Sequence, residues 1–288
     1  ANDDAYTVTP HLTYTSSLAS LSVRDNDNPT TTTVVNFSSG VSGTQVANGT
    51  NFIVADGAGG RVVMNPDGTF IFYPDAGDNN TSGTATFSYS ITGGDTALVT
   101  LTFEAEEFVW FVDGSGACTV GTGTNLGTQA CPATDVPTVA GVDTANDVIF
   151  VASGNYNCGV VATGITLENN EWVIGNGSSS TLAALVASRV TPVAGSNFAP
   201  YNTFSGTDPV LTSAAADCFT LSTGNTIRGL TIANTGNFAG IVGTNYGTFT
   251  VEETTINGTG QILNLDTGTV NAVFDSLAST SSDNSFAT

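Results

Sequence analysis

Two rhythms of apolar and polar residues run along this chain, and they change near position 104. Before it, apolar residues alternate with small polar ones. Phe87, Tyr89 and Ile91 do so in ATFSYSIT, and Val99, Leu101 and Phe103 in ALVTLTF. Period two with one apolar face predicts half-buried antiparallel strands. Beyond position 104 the apolar runs are shorter and recur at longer intervals: DVIFVA, GITLENNEWVIG, CFTLST, NTIRGLTIAN, GTFTVEETTING and GTVNAVFDSLAS. Turns rich in Asn, Gly, Thr and Ser separate them.

In the first region the runs AYTVT, TTTTVVNF, NFIVA, GRVVMN, TFIFYP, ATFSYSIT and ALVTLTF predict strands. About seven strands in about 100 residues predict an immunoglobulin-like sandwich over residues 1–103. NPDG at 65–68 reads as the turn of a hairpin: Pro66 and Asp67 fit the centre of a type I turn, and Gly68 can take the positive φ of a following bulge. Asp67 is therefore read as a turn residue. In the second region, superposing GLTIANTG on ETTINGTG places Ile232 over Ile256, 24 residues on, and Leu277 falls 21 residues later. Such a period predicts stacked repeats, each too small to fold alone, that bury a continuous aliphatic column. Residues 178–217 fit the period poorly. With STLAALVASRV, the one stretch that predicts a helix, they read as an insertion within a second domain of 104–288.

NDDAYTV, MNPDGTFIFYPDAGDNNTSGTATFSYSITGGD and ALVTLTF together resemble the cadherin-like, tandem-repeat immunoglobulin modules of large bacterial surface proteins and adhesins. The resemblance implies a spacer or adhesive unit, often with calcium at its ends. RDNDNP at 24–29 is similar to the acidic loops of that family, so Asp25 and Asp27 are the calcium ligands it implies, against a solvated turn as the alternative. NTIRGLTIANTGNFAGI resembles the coils of right-handed parallel β-helices of the pectate-lyase-like kind. That fold hosts lyases, hydrolases, tailspikes and passive stalks, so it implies an architecture and no single activity. The expected fold class is all-β: an immunoglobulin-like, cadherin-like sandwich followed by a right-handed parallel β-helix.

Composition narrows the partners. Lysine is absent, four arginines oppose 25 carboxylates, and the formal net charge is −21. A surface this anionic repels nucleic acid and acidic lipid, so neither nucleic-acid binding nor membrane insertion is expected. No apolar run approaches the ~20 residues that span a bilayer. The chain begins at Ala1, with no basic or apolar leader, which suits either a secreted protein after removal of a signal peptide, the expected case, or a trimmed chain. The cysteines Cys118, Cys131, Cys158 and Cys218 allow three connectivities. The favoured one joins Cys118 to Cys131, closing a Gly/Thr-rich loop, and Cys158 to Cys218; disulfides imply an oxidising compartment.

Candidate chemistry is sparse. The one histidine, His11, lies in the first region, far in sequence from the cysteines, so neither a nucleophilic triad nor a zinc site is supported. Glu104, Glu106 and Glu107 gather at the junction, where Glu104 and Glu106 would join Asp25 and Asp27 as calcium ligands; the alternative is a solvated acidic linker. Carboxylates of the second region are scattered. Glu252 and Glu253, as neighbours on a strand, are expected on opposite faces. Arg228 is read as a surface salt-bridge former, Trp110 and Trp172 as core or capping residues. Tyr156, Tyr201, Phe198 and Phe204 would form a contact patch. These observations predict an extracellular structural or adhesive protein that binds itself, free of cofactors or with Ca²⁺ alone, in a filament or sheath, with cell-surface glycans as further partners. The alternative is a polysaccharide-active enzyme or tailspike-type glycan binder.

Overall fold

A computed structural model describes residues 1–288 except 76–82, 105–106, 119–126, 160–163, 214, 235–236, 281–285 and 288. The described chain is nearly all β. It divides into two compact units.

The first unit comprises Ala1–Glu106, the described part of Cys118–Ala130, and Arg189–Ala199. One sheet runs Asp4–Val8, Thr96–Phe103, Thr84–Ile91, Val34–Ser39, Gly43–Val46, with Asp56–Gly57 also on Thr84–Ile91. The other runs Tyr14–Thr15, Phe70–Tyr73, Arg61–Met64, Phe52–Val54. Asp4–Val8 lies parallel to Thr96–Phe103, whereas the other pairings are antiparallel. Alternation does what the pattern predicts: Phe87, Tyr89, Ile91, Val99 and Leu101 from one sheet meet Val62, Met64, Phe70 and Phe72 from the other in one core. The 65–68 turn has the expected form. The Gly68 N–H donates to Asn65 O at 3.0 Å, Gly68 has φ +81°, and Asp67 Oδ1 accepts the Thr69 N–H at 2.9 Å and its hydroxyl at 2.6 Å. Those Thr69 bonds hold the Asp67 carboxyl below its usual pKa.

The segment expected as an insertion over 178–217 is divided. Arg189–Ala199 belongs to the first unit because its backbone is satisfied there: the Thr15 N–H donates to Gly195 O at 2.8 Å and the Val193 N–H to Thr9 Oγ1 at 3.0 Å. Buried Gln129 accepts the Thr13 N–H and donates through Nε2 to Asn197 O and Ala199 O, each at 2.7 Å. Val210–Thr212, at the far end of that segment, is instead a paired strand of the second unit. The helix expected in STLAALVASRV is Leu182–Val186, capped by Thr181.

The second unit holds a 12-stranded sheet, parallel in its pairings and curled as a half-barrel. Its strands form three stacks. In one, Val109–Val112, Val148–Val151, Trp172–Gly175, Thr226–Arg228 and then Ile241–Gly258 and Leu263–Ser279 follow one another. In the second, Tyr156, Leu211, Ile232, Ile256 and Leu277 are successive register partners, so the spacing read from the sequence is the spacing of the sheet. Ile165, Phe219, Ile241 and Leu263 are the partners in the third. The short helix Val136–Val139, capped by Asp135, packs on the first two strands of the first stack. A Cys158–Cys218 disulfide ties two passes of the chain; Cys118 and Cys131 are also disulfide-bonded, and no cysteine is free.

Three strands of the first stack are entered through the same turn. Asp147 Oδ2 accepts the Thr144 N–H at 2.9 Å, Glu171 Oε2 the Glu168 N–H at 2.8 Å, and Asn225 Oδ1 the Ser222 N–H at 2.7 Å. Each side chain reaches back three residues, and the residue just before it is left-handed: Asn146 at φ +76°, Asn170 at +57°, Gly224 at +79°. Asparagine and glycine are the residues that take this conformation at least cost. Gly224 has a second reason, since a Cβ there would lie 2.2 Å from Asn170 Oδ1. The three ladder residues precede Val148, Trp172 and Thr226, which are register partners, so they lie on adjacent passes; all three are buried. Asn225 also donates to Glu168 O at 2.6 Å and Glu171 O at 3.3 Å.

Asn225→Ala removes these three bonds and leaves the Ser222 N–H without its acceptor in a partly buried turn. A loss of about 2–4 kcal/mol is expected, read as a lower urea midpoint at unchanged slope.

Candidate functional site

The last pass, Leu263–Ser279, is the most exposed long strand of the second unit. It pairs along one edge with Ile241–Gly258, and among the described residues its other edge pairs only at Leu263 and Asn264, with Phe286–Ala287. Its register explains what it exposes. Val270 lies against Phe249, Ala272 against Val251 and Leu277 against Ile256. Those partners are buried, yet Val270 and Leu277 are 38% and 36% exposed. Leu277 continues the column of Ile232 and Ile256, and Val270 follows buried Phe249, into a layer that nothing described here covers. Val273, on the opposite side of the strand, is 68% exposed.

A second cluster lies on the wall of the same sheet. Arg228 Nη1 donates to Glu252 Oε2 at 2.6 Å and Arg228 Nε to Glu253 Oε2 at 2.8 Å. The Ser179 N–H also donates to Glu253 Oε2, at 3.1 Å, and its hydroxyl to Glu253 Oε1. Alternation had placed the two glutamates on opposite faces, and the structure corrects this. Glu253 takes φ +46°, and the register with the last pass shifts between Glu252 and Thr254. An extra residue in a strand re-aims its side chain. Here the bulge turns Glu253 back to the arginine that Glu252 already meets by cross-strand register. Burial works to raise the Glu253 pKa, but bonds from Arg228 and Ser179 outweigh it and hold the carboxyl below its usual range. Both carboxylates thus accept from Arg228, and Glu253 has no proton to give to a leaving group.

The third cluster lies in the first unit. Asp27 is buried; its Oδ1 accepts the Asn2 N–H at 2.6 Å, and the Tyr89 hydroxyl lies 3.2 and 3.1 Å from its two oxygens. Asp25 Oδ2 accepts the Ser22 N–H at 2.7 Å, the arrangement of a turn. Asp4 stands beside them. Desolvation, opposed by a hydrogen bond with Tyr89 and reinforced by the charges of Asp27, Asp3 and Asp25, pushes its pKa up to about 7.

Asp25 and Asp27 are two of the calcium ligands expected from the sequence. Ca²⁺ takes six to eight oxygens, whereas the Asp25 and Asp27 carboxylates are occupied by N–H and O–H donors. Among the described residues no group of three or more His, Cys, Asp or Glu is placed to hold a metal ion. The Glu104 N–H donates to Val8 O, and Glu106 lies outside the described residues. The expected aromatic contact patch is not assembled either. Phe198 and Tyr156 are buried, in different units, and Tyr201 and Phe204 pack on Phe150 with centroids 5.5 and 5.6 Å away. Trp110 is buried, and its Nε1–H donates to Asp147 Oδ2 at 3.0 Å.

Comparison of the chain with protein-family models, curated proteins and solved structures finds no match. The reading of function rests on the geometry above. Two elements of it were missed in the sequence: the bulge at Glu253, which leaves no mark in an alternating pattern, and Asp4 with Tyr89, which are 85 positions or more apart in the chain and meet only through sheet pairing.

Arg228→Met should lower stability by about 1 kcal/mol at low salt, because it removes a partly exposed ion-pair network and leaves Glu252 and Glu253 repelling each other. The gap between variant and parent melting temperatures is expected to shrink in about 1 M NaCl, where surface charges are screened.

Proposed function

We propose that this is an extracellular structural or adhesive surface protein that works by self-association and not by turnover. In this reading the first unit is an immunoglobulin-like, cadherin-like sandwich and the second a short right-handed parallel β-helix. The observation that carries it is the uncovered last pass, whose Val270 and Leu277 extend the buried columns while its far edge offers backbone groups for pairing. Exposed strand edges recruit further strands. The occupant is a second copy, because a copy brings strands of the same pitch, rich in Thr and Val. An isologous contact closes a dimer, and a heterologous one extends a filament or sheath. Two disulfides support an oxidising, extracellular setting. Among the described residues no helix is long and apolar enough to cross a membrane. Cell-surface glycans are the further partner of an adhesive role.

The Arg228, Glu252 and Glu253 cluster favours a second reading, a polysaccharide-active enzyme or tailspike-type glycan binder. Glycoside hydrolysis needs one carboxyl that keeps its proton to protonate the leaving oxygen. A Glu253 held ionised by Arg228 argues against that role. Release of reducing or unsaturated ends from acidic glycans, abolished by Glu252→Gln with Glu253→Gln, would establish the second reading.

Copies carrying a net charge of −21 repel one another, so association is expected to strengthen as NaCl rises from about 20 mM to about 500 mM. Sedimentation velocity should then show larger species, and electron micrographs ordered assemblies. Val270→Glu with Leu277→Glu should keep the protein monomeric with its melting temperature within a few degrees of the parent. A parent that stays monomeric throughout would sink the proposal.

A further inference from the structure

The turn ladder contains an acidic pocket whose chemistry the self-association reading does not use. Asp143, Asp147 and Glu171 come together where the turn at 143–147 stacks on the turn at 168–171. The stacking is fixed by the backbone: the Asn146 N–H donates to Asn169 O at 2.9 Å and the Trp172 N–H to Asp147 O at 3.1 Å. Asp147 is well provided with donors. Its Oδ1 accepts the Phe108 N–H at 2.9 Å, and its Oδ2 accepts Trp110 Nε1–H and both the N–H and hydroxyl of Thr144. The other two carboxyls are not. Glu171 is 0% exposed; its Oε2 takes the Glu168 N–H, but Oε1 is sealed from water with no donor. Asp143 Oδ2 is sealed in the same way. These two carboxyls interact with each other.

Two ionised carboxylates facing each other in a sealed site would leave two acceptors with nothing to accept, at a cost of several kcal/mol. One proton resolves both, making one oxygen a donor and the other its acceptor. No side-chain cation competes for the place. The second unit contains a single arginine, Arg228, already held by Glu252 and Glu253, and no lysine or histidine. The charged groups acting on the pair, Asp147 and Glu168, are both anionic.

We infer that Glu171 and Asp143 share one proton at neutral pH and act as a pH-sensitive clasp between two passes of the second unit, closed in acid and loosened in alkali. Glu171 is the residue that keeps the proton. Burial first, then its bond to Asp143 and the charges of Asp143 and Asp147, raise its pKa well above the ordinary 4.5. The sign follows from linkage. A group whose pKa is raised on folding contributes stability that is complete below its unfolded value and is lost as pH climbs towards its folded value. For Glu171 the decline begins near pH 4.5, continues through neutrality and ends in the alkaline range. Asp4, raised to about 7 in the first unit, adds its own decline over the lower part of this span. The clasp must therefore be read by difference.

Glu171→Gln supplies that difference, because an amide can accept the Glu168 N–H and donate permanently to Asp143. Thermal melts of parent and variant should nearly coincide near pH 4. They should separate as pH rises, with the parent falling behind on the order of 3 °C per pH unit above pH 5. Asp143→Asn, which also puts a fixed donor in the pair, should show the same sign. Carboxyl ¹³C shifts of the parent, assigned by comparison with Glu171→Gln, should show one glutamate still protonated at pH 7. Parallel melting curves for parent and Glu171→Gln at all pH values, or an ordinary titration of the Glu171 carboxyl, would overturn the inference. So would Ca²⁺ raising the parent's melting temperature at pH 8 but not that of Glu171→Gln, since the pocket would then hold a cation and not a proton.

Discussion

Each pass of the second unit has to re-enter the first stack at the same height, and a side-chain oxygen bonded three residues back is the constraint that sets the entry. Asp147, Glu171 and Asn225 perform it on adjacent passes. The bond closes a tight turn, a left-handed Asn or Gly turns the chain, and the next residue begins a parallel strand. Without it, the Thr144, Glu168 and Ser222 N–H groups would lose their acceptors, because the parallel ladder begins only beyond the turn. The aliphatic columns of Leu211, Ile232 and Ile256, or Ile149, Val173 and Ile227, then stack as a consequence. Hydrophobic burial supplies the driving force, and the polar ladder supplies the register.

Much of this was legible from the residues, for reasons that can be stated locally. Period-two alternation exposed the strands Thr84–Ile91 and Thr96–Phe103 because each has one core face. NPDG identified its turn because proline and glycine restrict backbone angles at fixed positions. The spacing from Ile232 to Ile256 to Leu277 gave the pitch of the stack because every pass must bring the same face inward. Gly43–Val46 escaped notice because it carries no apolar alternation; it pairs through its backbone and leaves most of its side chains in water. The ladder was hidden for a different reason. Thr-x-x-Asp, Glu-x-x-Glu and Ser-x-x-Asn share geometry and hydrogen bonding but not residue type, and a 54-residue gap between Trp172 and Thr226 interrupts their period.

Charge imposes the second general constraint. With no lysine and four arginines, most acidic side chains cannot be paired with cations, so the fold meets their needs in other ways. Asp67, Asp25 and Asp147 take N–H and O–H donors from turns. Glu252 and Glu253 converge on Arg228 through a bulge. Asp4 and Glu171 are raised in pKa by burial among other acids. Asp27, buried in the turn at 24–29, takes its donors from Asn2 and Tyr89.

The ladder position, followed through successive passes, reads Phe108, Asp147, Glu171, Asn225, Phe249 and Val270. Polar residues occupy the middle, where neighbours on both sides can bond them, and apolar residues occupy the ends. The two ends differ in one respect. Phe108 is 3% exposed, whereas Val270 is 38% exposed. A pass that finished in water would be served as well by threonine or asparagine at that position, and would gain hydration from it. Valine there, with Leu277 in the next column, forms an apolar layer that no described residue covers. An apolar layer left uncovered among the described residues, beside a strand edge, is the feature on which the self-association proposal rests.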